Sequence, residues 1–154
     1  MSVTMQDVRA WLDAEEVDYT KAKRLGSAAI PFLMELVQGG DLGLASKATY
    51  LASLIKSEQS AAVLEMAAAR NEPVLRVAAA SGIRNLPEVQ AERVMDLLRN
   101  DPDAGIRKVT LKSADRLRSP QVVAKLQHMA ETDPEPFIRE LAASTVKKMK
   151  RKRK

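Results

Sequence analysis

Apolar positions along this chain fall into columns that recur every 31 or 32 residues. One column holds Leu44, Leu75, Ile106 and Ile138. Further along each copy stand Ala48, Ala79, Thr110 and Ala142, then Ala52, Ile83, Ala114 and Val146, then Ile55, Leu86, Leu117 and Met149. Steps of four, four and three trace one stripe of a 3.6-residue helix, so each copy predicts a helix with a single buried face. The small residues in the middle columns suit close helix–helix approach.

Each stripe opens on the same polar phrase, an acid followed four positions later by arginine with an aliphatic residue just before it. The phrase reads Glu72-Pro73-Val74-Leu75-Arg76, Asp103-Ala104-Gly105-Ile106-Arg107 and Glu135-Pro136-Phe137-Ile138-Arg139. A weaker copy, Asp41-Leu42-Gly43-Leu44-Ala45, has alanine in place of the arginine. A fixed period of this size marks a stacked repeat architecture.

A first helix is predicted before each of these second helices, near 27–38, 59–69, 87–99 and 120–131. Ser119-Pro120 is an N-cap followed by proline at a position where a missing N–H costs nothing. Pro87 is expected to play the same part after Leu86. Gly39-Gly40 ends the first of these helices, and Asn71, Asn100-Asp101-Pro102 and Asp133-Pro134 mark turns. Pro31 is expected to bend the first helix near its start. Ahead of the repeats, Thr4-Met5-Gln6-Asp7 resembles a capping box leading into a helix with Val8, Trp11 and Leu12 on one face. A short segment from about Tyr19 to Leu25 follows.

The predicted fold is all-α: a right-handed α-solenoid of about four helix pairs with an N-terminal helical cap. It forms one domain over 1–148, with the cap at 1–26 and repeats at 27–56, 57–86, 87–118 and 119–148. No β-strand of useful length is predicted.

On these residues the chain resembles HEAT-repeat proteins, particularly the bacterial HEAT-like type also found in phycobilisome lyases. The helix pair, the acid-x3-Arg opening, the alanines after it and Leu25-Gly26-Ser27-Ala28-Ala29-Ile30-Pro31 carry the resemblance over roughly 25–148. It implies that Glu72/Arg76, Asp103/Arg107 and Glu135/Arg139 form a structural ladder between repeats, broken in the first repeat by Ala45. Some HEAT-like folds remove alkylated bases from DNA, using aromatic residues and a carboxylate in a basic groove. Trp11, the sole tryptophan, lies on the apolar face of the cap helix and reads as core rather than as a stacking platform.

Composition narrows the class. Among 154 residues 45% are apolar and 3% aromatic, which suits tightly packed helices rich in alanine and leucine. There is no cysteine, so disulfides and thiolate metal sites are ruled out, and a reducing cytoplasmic setting fits. No apolar run predicts a membrane span, and residues 1–7 show no secretory signal.

The net charge of +5 is uneven. Seven of the last eight residues are basic: Lys147, Lys148, Lys150, Arg151, Lys152, Arg153 and Lys154. Setting them aside leaves 18 of the 25 basic residues against 20 acidic ones. The tail at 147–154 is therefore expected to fray and be disordered, although Met149 still fits the core stripe and extends the helix into its first turn. Its charge suits nucleic acid, an anionic membrane surface or an acidic protein.

Little points to catalysis. His128 is the only histidine, and no His/Asp/Glu cluster stands at ligand spacing. No Gly-x-Ser-x-Gly elbow and no phosphate-binding glycine loop occurs. The carboxylates read as i,i+4 partners of basic residues on helix surfaces. No catalytic residue, cofactor or metal is predicted. The expected function is a non-catalytic, monomeric protein-interaction scaffold presenting its concave second-helix face through Lys47, Tyr50, Arg84, Lys108 and Lys112. The alternative is a nucleic-acid-associated protein anchored by the basic tail and this mildly basic face.

Overall fold

The computed structural model describes residues 2–152, and among them every regular element is helical. The α-helices are α1 (Met5–Leu12), α2 (Tyr19–Ala22), α3 (Ile30–Gln38), α4 (Leu42–Leu54), α5 (Ser60–Ala68), α6 (Pro73–Gly82), α7 (Glu88–Leu98), α8 (Ala104–Ser113), α9 (Pro120–Thr132) and α10 (Pro136–Lys152). Short 3₁₀ turns occupy Lys23–Leu25, Ser27–Ala29 and Ile83–Asn85.

Local chemistry sets the helix starts. At α1 the Asp7 N–H donates to Thr4 Oγ1 at 3.1 Å and the Thr4 N–H returns a bond to Asp7 Oδ2 at 2.9 Å, a complete capping box. Asp41 accepts from Leu44 N–H at 3.0 Å, Asp103 from Gly105 N–H at 2.7 Å and Ser119 from Val122 N–H at 3.3 Å. The acids that open the recurring phrase at α4 and α8 are thus N-caps, which satisfy donors the first helical turn leaves unpaired. Two proline expectations shift. Pro31 does not bend a helix, because residues 27–29 form a separate 3₁₀ turn and α3 begins at Ile30, leaving Pro31 in the first turn where no intrahelical N–H is needed. Pro87 is the N-cap of α7 rather than its first helical residue.

All four repeating columns are buried along their length, from Leu44 to Ile138 and from Ile55 to Met149, with Thr110 the one polar member. Thr110 meets its burial by donating to Ile106 O at 2.8 Å. The odd-numbered helices supply the facing core through Leu33, Val63, Leu64, Val94, Met95, Leu98, Val122 and Leu126. Each such leucine stabilises the fold by about 1.5–3 kcal/mol.

Helices pack against both their chain neighbours and the helices two places on. α3 touches α4 and α5, α5 touches α7, α4 touches α6, α6 touches α8 and α8 touches α10. Helices α4, α5 and α6 meet tightly at Gly82, where an added Cβ would meet Leu64 Cδ2 at 2.7 Å and Ser53 Cβ at 2.9 Å. Only glycine fits there without displacing a neighbour. Gly26, with φ of 72°, separates the first two 3₁₀ turns in a conformation other residues adopt under strain.

The expected disorder of the tail does not hold for residues 147–152, which form the end of α10. Val146 and Met149 are buried on one side of this segment, and Lys148 bonds Asp115 at 3.1 Å. That anchorage outweighs the mutual repulsion of the lysines. Arg153 and Lys154 lie outside the described residues.

Candidate functional site

The even-numbered helices α4, α6, α8 and α10 carry most of the predicted functional residues, and their two ends treat charge differently. At the N-terminal ends the arginines of the recurring phrase are clamped. Arg107 forms a two-point ion pair with Asp133, at 2.8 and 3.0 Å, and donates to Asp101 O at 2.8 Å. Arg76 pairs with Asp101 at 2.8 Å and donates to the carbonyls of Arg70 and Asn71 at 3.0 and 2.7 Å. Arg139 donates to Asp133 O at 2.7 Å. Each guanidinium thus covers backbone carbonyls of the preceding turn, and two of them reach an aspartate in the turn between the two helices of the next pair.

The ladder differs from the implied one in its acids. Glu72, Asp103 and Glu135 are not the partners of Arg76, Arg107 and Arg139 in these contacts. Asp101 and Asp133, which read in the sequence only as turn formers, hold that place. Both are buried and orient the turn itself: Asp101 accepts from Asp103 N–H at 2.9 Å and Asp133 from Glu135 N–H at 3.0 Å. Burial pushes the Asp133 carboxyl up, but the Arg107 guanidinium, the Glu135 N–H and the charges of Arg107 and Arg139 together hold it below the usual aspartate range.

The first junction reaches a similar end by another route. Ala45 stands where an arginine would cover the carbonyl of Gly39. Arg70, at the position of Asp101 one period earlier, reaches back instead and donates to Val37 O at 2.8 Å and Gly39 O at 3.3 Å. Glu72 fixes the Arg70 guanidinium through bonds at 3.0 and 3.3 Å, and this pairing holds the Glu72 carboxyl below its ordinary value. The departure at Ala45 therefore leaves no gap. In the sequence the signal was the column Arg70, Asp101, Asp133, spaced 31 and 32 apart.

The predicted binding residues do not form one cluster. Tyr50 is half-buried, with its ring edge-to-face on Tyr19 at 5.1 Å between centroids. Burial and then Tyr50 raise the Tyr19 hydroxyl above its ordinary value. These tyrosines line a groove of about 380 Å³ with Ser46, Lys47, Val74 and Val77. Val74 and Val77 are 47% and 38% exposed, a high value for large aliphatic side chains on a packed helix. Lys47 lines this groove but is not a free cation, because its ammonium donates to Leu12 O at 3.1 Å and Ala14 O at 2.9 Å and fastens the end of α1 to α4.

Arg84 and Lys112 lie elsewhere, in a groove of about 590 Å³ with Asp115, Ser144, Lys148 and Arg151. Lys108 is exposed on α8 and lines neither groove. Of the tail residues, Lys147 and Lys150 are exposed and line no groove, Lys148 and Arg151 line the second one, and the side chain of Lys152 is outside the described set.

The surface ion pairs also differ from expectation. Arg9–Asp13 is an i,i+4 pair, but Arg93–Glu65, Lys125–Glu92, Lys125–Asp96 and Lys148–Asp115 join residues 28 to 33 apart. Asp96 and then Glu92 raise the Lys125 ammonium above its ordinary value. Arg93 and Lys125 thereby stitch neighbouring helix pairs along the odd-numbered helices as well. His128 is exposed beside the Arg107–Asp133 pair, and no group of His, Asp and Glu among the described residues is arranged to hold a metal. No helix among them is long and apolar enough to cross a membrane. Neither family models, nor curated proteins, nor solved structures match this chain.

Proposed function

We propose that this protein is a HEAT-like α-solenoid that acts as a non-catalytic scaffold, binding another protein on the concave face formed by its even-numbered helices. The observation that supports this reading is the Tyr19–Tyr50–Val74–Val77 groove. It places two exposed valines beside a half-buried aromatic pair, on helices held at fixed spacing by the arginine clamps. A rigid apolar recess of this kind suits an anchor side chain of a partner, with tyrosine as the expected hot spot. The scaffold is taken to work as a cytoplasmic monomer. The repeats run over 27–56, 57–86, 87–118 and 119–148, and residues 1–26 cover the open end of the first.

The test is quantitative affinity purification from the native host with the wild-type chain, Val77→Asp and Tyr50→Ala. Circular dichroism checks that each variant keeps its helix content. A defined set of proteins captured by wild type and lost by both variants supports the reading. An identical set on all three chains removes this groove as the partner site.

A further inference from the structure

We propose that the C-terminal edge of the even-numbered helices is a binding strip for the phosphate backbone of a single-stranded nucleic acid. Two grooves make the strip, and Arg84 lines both. The larger, about 770 Å³, brings Lys23, Lys56, Arg84 and Arg116 around a single acid, Glu58. The other, about 590 Å³, sets Arg84, Lys112, Lys148 and Arg151 around a single acid, Asp115. The cations come from five places in the chain: the turn after α2, the ends of α4 and α6, α8 with the loop after it, and α10.

Their availability differs from that of the clamped arginines. Lys23, Lys56, Lys112 and Arg151 are exposed and form no ion pair among the described residues. Arg116 is bonded to the carbonyls of Arg84, Ile83 and Leu86, which fixes its position. It forms no ion pair among the described residues, although, behind the Arg118 and Ser119 N–H groups, its charge helps to hold the nearby Glu88 carboxyl below the ordinary value. A cation near a helix C-terminus stabilises that helix through the macrodipole, and this accounts for one charge at each end. It does not account for charges from several elements converging on shared grooves with one acid each.

The occupant is a chain rather than a compact anion, because the strip extends from the turn after α2 to α10. A nucleic-acid backbone fits better than an acidic peptide. Peptides draw affinity from apolar or aromatic anchors, and no aromatic side chain lines either groove; of the aliphatic residues that do, Ile55 and Leu86 belong to the buried core and Leu54 and Leu141 are half-buried. Backbone phosphates are held by charge alone, through counterion release. The sequence continues past Arg151 with three more basic residues, Lys152, Arg153 and Lys154.

This inference stands apart from the scaffold reading, since it uses none of the residues of the Tyr50 groove. The experiment titrates a fluorescent random 20-nucleotide single-stranded DNA with the full chain at several salt concentrations. The comparison chains are Lys23→Gln/Lys56→Gln/Lys112→Gln and, as a control off the strip, Lys147→Gln/Lys150→Gln. Wild type should bind, and the triple variant should bind at least about tenfold more weakly. Its slope of log affinity against log salt should be shallower by about 2, at roughly 0.7 for each lost phosphate contact. The control should keep most of the affinity. No binding by wild type at low salt, or equal losses in the triple variant and the control, would overturn the proposal. So would displacement of the DNA by poly-glutamate at equal charge concentration, which would reassign the strip to an acidic polypeptide. Unchanged helix content in the variants separates loss of the strip from loss of fold.

Discussion

The two ends of the even-numbered helices hold charge in opposite ways. At the N-terminal ends Arg76, Arg107, Asp101 and Asp133 are largely removed from solvent and satisfy one another, and the helix start is built around them. At the C-terminal ends Lys23, Lys56, Lys112 and Arg151 are exposed and form no ion pair among the described residues. Buried charge must be paired to be tolerated, so a paired end is architecture. Exposed and unpaired charge matters little to stability, and in the proposed strip it is the part that meets a ligand. Removing a charge should therefore cost stability at one end and binding at the other.

The largest expected effect is Arg107→Ala. It strands the Asp133 carboxylate, whose side chain is 4% exposed, and should cost about 3–5 kcal/mol by urea denaturation. A loss under about 1 kcal/mol would mean that water replaces the guanidinium and that this end resembles the other. Acid should act on the same pair. The Asp133 pKa is lowered in the folded state, so its contribution is complete above the ordinary aspartate value of 3.8 and fades as pH falls below that through the folded value. Thermal melts across this range should show a steeper acid loss for wild type than for Asp133→Asn.

A smaller effect tests whether the clamp at the first junction is equivalent to the others. Arg70→Asp should uncover the Val37 and Gly39 carbonyls, and Ala45→Arg should crowd the Arg70 guanidinium; each alone should cost about 1–2 kcal/mol. Together they recreate the arrangement of Arg107 with Asp133, and the double variant should be more stable than the sum of the two losses by about 1 kcal/mol or more. Strict additivity would show that Arg70 and the clamped arginines do unrelated jobs. The smallest expected effect is on stability at the cationic end, where Lys56→Gln or Lys112→Gln should stay within about 0.5 kcal/mol of wild type.

Much of the helical layout could be read from the sequence because helix burial is periodic. The four columns from Leu44 to Met149 repeat at helical spacing, and proline, glycine and capping residues mark the boundaries. The ion-pair partners could not, because Arg76 reaches Asp101 and Arg107 reaches Asp133 across 25 and 26 residues through tertiary packing. Asp101-Pro102 and Asp133-Pro134 carry the ordinary signature of a turn, which hides their second role. The substitution at Ala45 looked like a defect, since nothing local shows that Arg70 bends back to the same carbonyl. At the face, the cationic character of Lys47 was visible, but its two bonds to the end of α1 depend on where the cap packs. The order of residues 147–152 turned on Met149, whose burial follows from the same stripe that predicts the other helices.

The most direct test of the division between the two ends measures stability and DNA binding side by side on Arg107→Ala and on Lys23→Gln/Lys56→Gln/Lys112→Gln. Both are assayed at a temperature where Arg107→Ala remains folded. The predicted result is a crossed pattern: Arg107→Ala loses about 3–5 kcal/mol of stability and binds like wild type, while the triple variant melts like wild type and binds at least about tenfold more weakly. A triple variant that unfolds with its loss of binding, or an Arg107→Ala chain that is folded but no longer binds, would contradict it.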